Sequence, residues 1–259
     1  MFTPSNSTIV PEPSPERVWQ LATYLQKLDK PVKRDDLYKA MAMPEVYGEN
    51  KGIFNDTLSV AKELDLVNEA DGLISVSEEL GKIRTKDDFR RYAARIVFQW
   101  EDSLFFRVTA FFCAHAEDMR KLESINDVVA YLGANGISIH DNVIKGWRLW
   151  APFLGCGYLF GNVLIPNWQQ RIADVLFSQQ KWPKKQQIPF SEFITWLQHE
   201  APETRDSIQG KQVGLGVSNG LRTLDELGVL KIVFTPDASQ WQLVKTSGQN
   251  AVSYVQIMR

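Results

Sequence analysis

One pattern constrains this chain more than any other: a run of helix-like segments closed by a β-hairpin signal, and the run comes back. Ser14-Pro15-Glu16 opens the first helix, with Ser as N-cap and Pro in the first turn. Val18, Leu21, Ala22, Leu25 and Leu28 follow at helical spacing until Pro31 stops the run. Lys33 to Met41 reads as a second, short helix, and a loop through Pro44 and Gly48 follows. Lys51 to Leu64 reads as a third helix with Phe54, Leu58, Ala61 and Leu64 inward. Asp65 to Val76 then reads as two short strands around Asp71-Gly72, a strong hairpin signal.

The order recurs. Ser103 to Glu117 reads as a very apolar helix, Ile125 to Leu132 as a short one, and Asp141 to Leu154 as a third that Pro152 interrupts. Cys156 to Ile165 reads as strand, Gly161-Asn162 turn and strand. The third copy has helices at Trp168 to Gln179, Phe190 to His199 and Gly214 to Leu227. Its hairpin joins Val229–Phe234 to Gln240–Val244. Wings are therefore expected near residues 66–76, 157–165 and 229–244.

The helix-to-strand junctions carry a resemblance. Leu224-Asp225-Glu226-Leu227-Gly228-Val229-Leu230 resembles the junction typical of the winged-helix superfamily, and Ala61-Lys62-Glu63-Leu64-Asp65-Leu66-Val67 is similar to it. The middle junction, Trp150 to Tyr158, departs most, and that segment reads equally as a helical connector. Each motif is weak alone; the repetition carries the inference. The expected fold is mainly α with small β-wings: tandem winged helix-turn-helix domains. The parts are an extended arm (1–14), winged helix 1 (15–80), a basic connecting helix (81–102), a winged-helix-like or helical middle domain (103–167) and winged helix 3 (168–259). In overall organisation, rather than through a motif, the chain also resembles accessory proteins of bacterial DNA-modification and phage-defence gene clusters.

Charge divides the chain. Residues 1–80 hold 8 Lys/Arg against 14 Asp/Glu, a net of −6, whereas 81–123 (9 against 7) and 124–259 (12 against 10) are each +2. Phosphate neutralisation supplies most sequence-independent DNA affinity, so nucleic-acid contact is expected toward the centre and C-terminal part. The acidic first unit is better suited to a protein partner. Cys113 and Cys156 lie in apolar surroundings and read as buried free thiols of a reducing compartment. The N-terminus lacks the pattern of a signal peptide, and the most apolar stretch, Ala151 to Ile165, is too short to span a bilayer. A cytoplasmic protein with no membrane contact is expected.

The residues of common chemistries are not gathered. His115, His140 and His199 show no metal-ligand spacing, and Cys113 and His115, on one apolar helix, point to different faces. Gly214-Leu215-Gly216-Val217-Ser218-Asn219-Gly220 lacks the preceding strand of a dinucleotide loop and reads as a loose entry into a helix. Asp87-Asp88 and Glu101-Asp102 read as helix-start or surface carboxylates. No catalysis, metal or cofactor is expected.

Nucleic acid is the first expectation for a partner. In a winged helix the exposed face of the third helix enters the major groove and the wing grips phosphate. In the third copy that face would carry Lys211, Ser218, Asn219 and Arg222. Asn suits adenine and Arg suits guanine. In the first copy it would carry Lys51, Asn55, Ser59 and Lys62, with Glu49, Asp56 and Glu63 close by to repel phosphate. In the middle, Lys145 and Arg148 are the candidates. The helix expected over Gly81 to Trp100 adds a cluster with Arg90, Arg91 and Arg95, a solvated face or a phosphate-contacting surface. The alternative is a protein–protein scaffold that uses the same folds, contacting its partner through residues 1–80.

Overall fold

A computed structural model describes every residue except Asp29, Asn50, Asn162, Gln180 and Arg259. About half the chain is helical and the sheets are small. It divides into two compact units, residues 1–105 with 139–153, and residues 106–138 with 154–259.

The first unit opens with α1 (Pro15–Leu28), β1 (Val32–Lys33), α2 (Arg34–Ala42), α3 (Pro44–Tyr47) and α4 (Lys51–Glu63). The hairpin β2 (Val67–Ala70) and β3 (Leu73–Val76) follows. The periodic apolar positions are the core: Val18, Leu21, Ala22 and Leu25 of α1 and Phe54, Leu58 and Ala61 of α4 are buried. The expected Asp-Gly turn is present, with Asp71 at φ 52° and Gly72 at φ 73°, the left-handed pair that a two-residue hairpin requires. The strand order is β1-β3-β2, all antiparallel, so the strand between the first two helices pairs with the last strand.

Next comes α5 (Lys86–Val97). It is shorter than the helix expected over Gly81 to Trp100, because Thr85 and Asp88 form a capping box that starts it at Lys86. The chain continues through α6 (Leu104–Ala114), α7 (Ala116–Met119) and α8 (Ile125–Ala134), and α9 (Asp141–Phe153) returns to the first unit. A single helix over Ser103 to Glu117 is not formed: His115 (φ −105°, ψ 25°) breaks it. Pro152 lies inside α9 instead of ending it. It stands one residue from the helix end, so the break in hydrogen bonding that proline imposes touches only the last turn. The arm is not free either. Phe2 and Ile9 are fully buried, and Phe2 meets Phe105 and Trp150 edge-on at 5.1 and 4.9 Å. Trp150 Nε1 donates to the Pro13 carbonyl at 2.7 Å.

The second unit adds the hairpin β4 (Tyr158–Phe160) and β5 (Val163–Ile165), then α10 (Gln169–Gln179), β6 (Gln187–Pro189) and α11 (Phe190–Glu200). Of the expected Gly161-Asn162 turn, Asn162 lies outside the described residues. After a 3₁₀ segment (Pro202–Ser207) come β7 (Ile208–Gln209), β8 (Gln212–Val213), α12 (Leu215–Glu226), β9 (Leu230–Val233), β10 (Trp241–Leu243), β11 (Ala251–Val252) and β12 (Tyr254–Ile257). The stretch read as one middle domain is thus divided, with α9 in one unit and β4–β5 in the other.

The expected pairing of β9 with β10 is corrected. β9 pairs with β12, which also pairs with β6, giving the order β6-β12-β9. β10 joins a separate sheet, β11-β10-β8-β7, where it runs parallel to β8. Tyr254-Val255-Gln256-Ile257 alternates half-buried and buried, the period of a strand with one face in the core. In both units, then, a strand between two helices (β1 between α1 and α2, β6 between α10 and α11) pairs with the last strand, which lies next to the strand that follows the long helix α4 or α12.

The glycines before and within α12 have a packing reason rather than the loose entry expected of them. A Cβ on Gly216 would lie 2.5 Å from the Trp168 ring, and one on Gly220 would lie 2.7 Å from the Gln169 nitrogen. They let α12 lie directly on Trp168 and the start of α10. Nearby, Arg171 Nε donates to Glu203 Oε1 at 3.0 Å with both side chains out of solvent, and Arg171 Nη2 donates to the Glu200 carbonyl at 2.9 Å. The thiols of Cys113 and Cys156 are free and buried, and burial pushes both well up.

Glycine-to-alanine replacement separates these positions. In a helix it is ordinarily stabilising by up to about 1 kcal/mol, and Gly52→Ala, with open space around it, follows that rule. Gly216→Ala and Gly220→Ala overpack against Trp168 and Gln169 and lower stability by about 1–3 kcal/mol. Chemical denaturation of the three variants checks the sign at each site.

Candidate nucleic-acid interface

In the first unit α4 keeps one polar side in water. Lys51, Asn55, Ser59 and Lys62 are all exposed and, at about 100° per residue, fall within a sector of about 80°. Thr57, Val60 and Ala61 hold the other side in the core. Beside the stripe, Arg34 Nη2 donates to Asn55 Oδ1 at 3.0 Å and Nη1 donates to Glu69 Oε1 at 3.0 Å. Lys62 Nζ donates to Glu69 Oε2 at 2.8 Å. Lys62, and after it Arg34, hold the Glu69 carboxyl below its usual range. Two cations share that carboxylate, so the group is left net positive, and the Lys51 ammonium lies 5.7 Å from the Tyr38 ring centroid.

Of the three acids expected to repel phosphate here, Glu49 stays exposed ahead of the helix, while Glu63 and Asp56 are turned elsewhere. Glu63 accepts from the Met1 ammonium at 2.5 and 2.7 Å and from the Phe2 N–H at 2.8 Å. Asp56 projects about 100° away from the stripe on the helical wheel. Sequence reasoning missed Arg34. Its signal was the Lys33-Arg34 pair at the start of α2, but no local periodicity says that Arg34 meets α4 and β2.

The third helix of the second unit is used differently. Ser218 is fully buried, which corrects its expected exposure. Its Oγ donates to the Val213 carbonyl at 2.9 Å and accepts from the Val244 N–H at 3.0 Å. Asn219 Nδ2 donates to the Pro166 carbonyl at 3.0 Å. Arg222 Nη2 donates to the Val244 carbonyl at 2.7 Å and to Asn250 Oδ1 at 2.9 Å, and burial lowers the guanidinium pKa. Lys211 is exposed, its ammonium on Ser239 Oγ at 3.0 Å. The chain between β9 and β12 is therefore folded over α12 and pinned there by Ser218 and Arg222.

The remaining candidates stand apart. On α5, Arg90 pairs with Asp87 at 2.5 Å and Arg91 with Asp88 at 2.7 Å, while the Arg95 guanidinium lies 5.3 Å from the Tyr92 ring centroid. Lys82 and Lys86 are paired as well, with Glu79 and Glu16. On α9, Lys145 pairs with Asp141 at 2.6 Å, and Arg148 is half-buried, with its pKa lowered by burial. Among the described residues no group of three or more His, Cys, Asp or Glu is placed to hold a metal ion. No described helix is long and apolar enough to cross a membrane.

Ser218→Ala and Arg222→Ala should each lower stability by about 1–3 kcal/mol, because they orphan the Val244 amide or carbonyl. The exposed Lys211→Ala should stay within about 0.5 kcal/mol. Equal midpoints for all three in urea titration would show that these bonds carry no weight.

A family model described as DpdG-like matches residues 8–203. No curated protein and no solved structure matches the chain. With both units covered by that match in large part, the chain belongs to the DpdG-like family.

Proposed function

We propose that this chain is a non-enzymatic DNA-binding subunit of a DNA-modification system, built on winged helix-turn-helix units, and that α4 of the first unit makes the principal DNA contact. The observation that carries this reading is the exposed Lys51–Asn55–Ser59–Lys62 stripe with Arg34 beside it. Its residue types suit phosphate and base edges. The order of helices and the strand orders β1-β3-β2 and β6-β12-β9 support the winged-helix part. The family supports the setting, since DpdG is part of a DNA-modification gene cluster.

A scaffold reading has its own support. Ser218, Asn219 and Arg222 are spent on internal bonds, and Tyr158, Leu159 and Phe160 of β4 are all exposed, Phe160 at 76%. On this reading the second unit serves protein contacts.

Mobility-shift titration of duplex DNA over a salt series tests the proposal. The K51A/K62A double variant should weaken binding to all sequences and reduce the salt slope by about 2, roughly 0.9 for each phosphate no longer neutralised. Asn55→Ala should cost about 1–3 kcal/mol on a preferred sequence and relax specificity there. Absence of any shift at low salt would leave the scaffold reading standing.

A further inference from the structure

The opposite side of α4 carries a second surface. A groove of about 510 Å³ runs between α1, α2 and α4, with Leu21, Met41, Ile53 and Phe54 on its apolar walls and Glu16 at its rim. Just past Met41, the chain turns at Met43, whose φ of 42° is a left-handed conformation that non-glycine residues seldom adopt. It leaves Met43 47% and Val46 71% exposed beside Glu45 and Glu49, themselves exposed. Unbranched methionines suit a surface that adapts to a partner's side chains.

Arg17 stands on the groove wall and Glu16 at the rim is paired with Lys86, but the charges beside them are acidic. Asp56, next to Thr57 on the groove wall, faces Glu12. Burial, and after it the Glu12 charge, raise the Asp56 carboxyl, while the Met1 ammonium acts in the opposite sense. That ammonium is bonded to Glu63, and Arg17 donates to the Glu12 backbone carbonyl rather than to its carboxylate. Among the described residues neither Glu12 nor Asp56 has an ion-pair partner. Two like charges left facing each other beside apolar walls are relieved by a cation from outside.

We infer that this groove docks a basic amphipathic helix of a partner protein. Apolar side chains spaced at i, i+3 and i+4 would enter between Leu21, Met41 and Ile53. Lys or Arg flanking that apolar face would meet Glu12, Asp56, Glu45 and Glu49. On the helical wheel the groove lies on the side of α4 away from Lys51 and Lys62, so docking and DNA contact are separable.

The test uses the full chain and a fluorescent synthetic helix of Leu and Lys in amphipathic order, with an isomer carrying Glu at every Lys. Anisotropy should show the Leu/Lys helix bound and the Leu/Glu helix unbound. Ile53→Trp, which fills the groove, and Asp56→Lys, which reverses its charge, should each weaken binding about tenfold or more. Should Ile53→Trp fail to fold, Val46→Lys, at a 71% exposed position, takes its place. K51A/K62A should bind the peptide as the parent does. Equal binding of both helices, binding that survives the groove variants, or no binding at all overturns the inference, whatever the outcome with DNA.

Discussion

The second unit depends on one close approach, that of α12 to Trp168. Two missing side chains, at Gly216 and Gly220, let the helix sit against the indole and the first residues of α10. A helix held that near its neighbour has little surface left, and Val217, Ser218, Leu221 and Leu224 are all buried. Asp225 and Glu226 stay exposed, but the chain between β9 and β12 covers Ser218 and Arg222. Ser218 and Arg222 hold that cover by bonding to Val244 and Asn250. Buried hydroxyl and guanidinium groups need partners, since an unmet one costs about as much as several good contacts return. The cover and the polar residues beneath it are therefore one arrangement.

The two units use the same strand order to opposite effect, and the length of one connection accounts for it. In the first unit β2 and β3 are joined through Asp71-Gly72. That connection leaves no chain to fold across the polar stripe of α4. In the second unit the chain from β9 to β12 passes through β10 and β11, which join β8 and β7 in a sheet, and its Val244 and Asn250 bond to Ser218 and Arg222 of α12. The exposed helix α4, and with it the surface proposed to contact DNA, belongs to the unit whose overall charge is negative.

Local pairing explains why that average misleads. Glu63 is taken by the Met1 ammonium and Glu69 by Arg34 and Lys62, while in and just before α5 Lys82, Lys86, Arg90 and Arg91 are paired with Glu79, Glu16, Asp87 and Asp88. Such exposed pairs contribute about 0–1 kcal/mol each to stability, but they cancel charge at close range and so redraw the surface field. Arg171 with Glu203 is a different case. Both are buried, and losing one partner there would strand a charge at a cost of about 3–5 kcal/mol.

Much of the architecture was legible in the residues. Apolar spacing located α1, α4, α9 and α12 to within a few residues, Asp71-Gly72 located the first hairpin, and Thr85 with Asp88 was a capping signal that the basic run around it obscured. These are local properties: helical period, turn conformation and cap hydrogen bonds involve residues near in sequence. The partner of β9, the division of the middle stretch between two units, the burial of Ser218 and the meeting of Arg34 with Asn55 were not legible. Each depends on which distant segment reaches an open strand edge or an exposed polar atom. Tyr254–Ile257 and Trp241–Leu243 are both plausible strands by pattern. The sequence by itself determined the elements and their apolar faces. The tertiary structure alone decided which strand paired with β9 and which third helix stayed in water, because backbone edges and buried polar groups are satisfied by whatever the fold brings within reach.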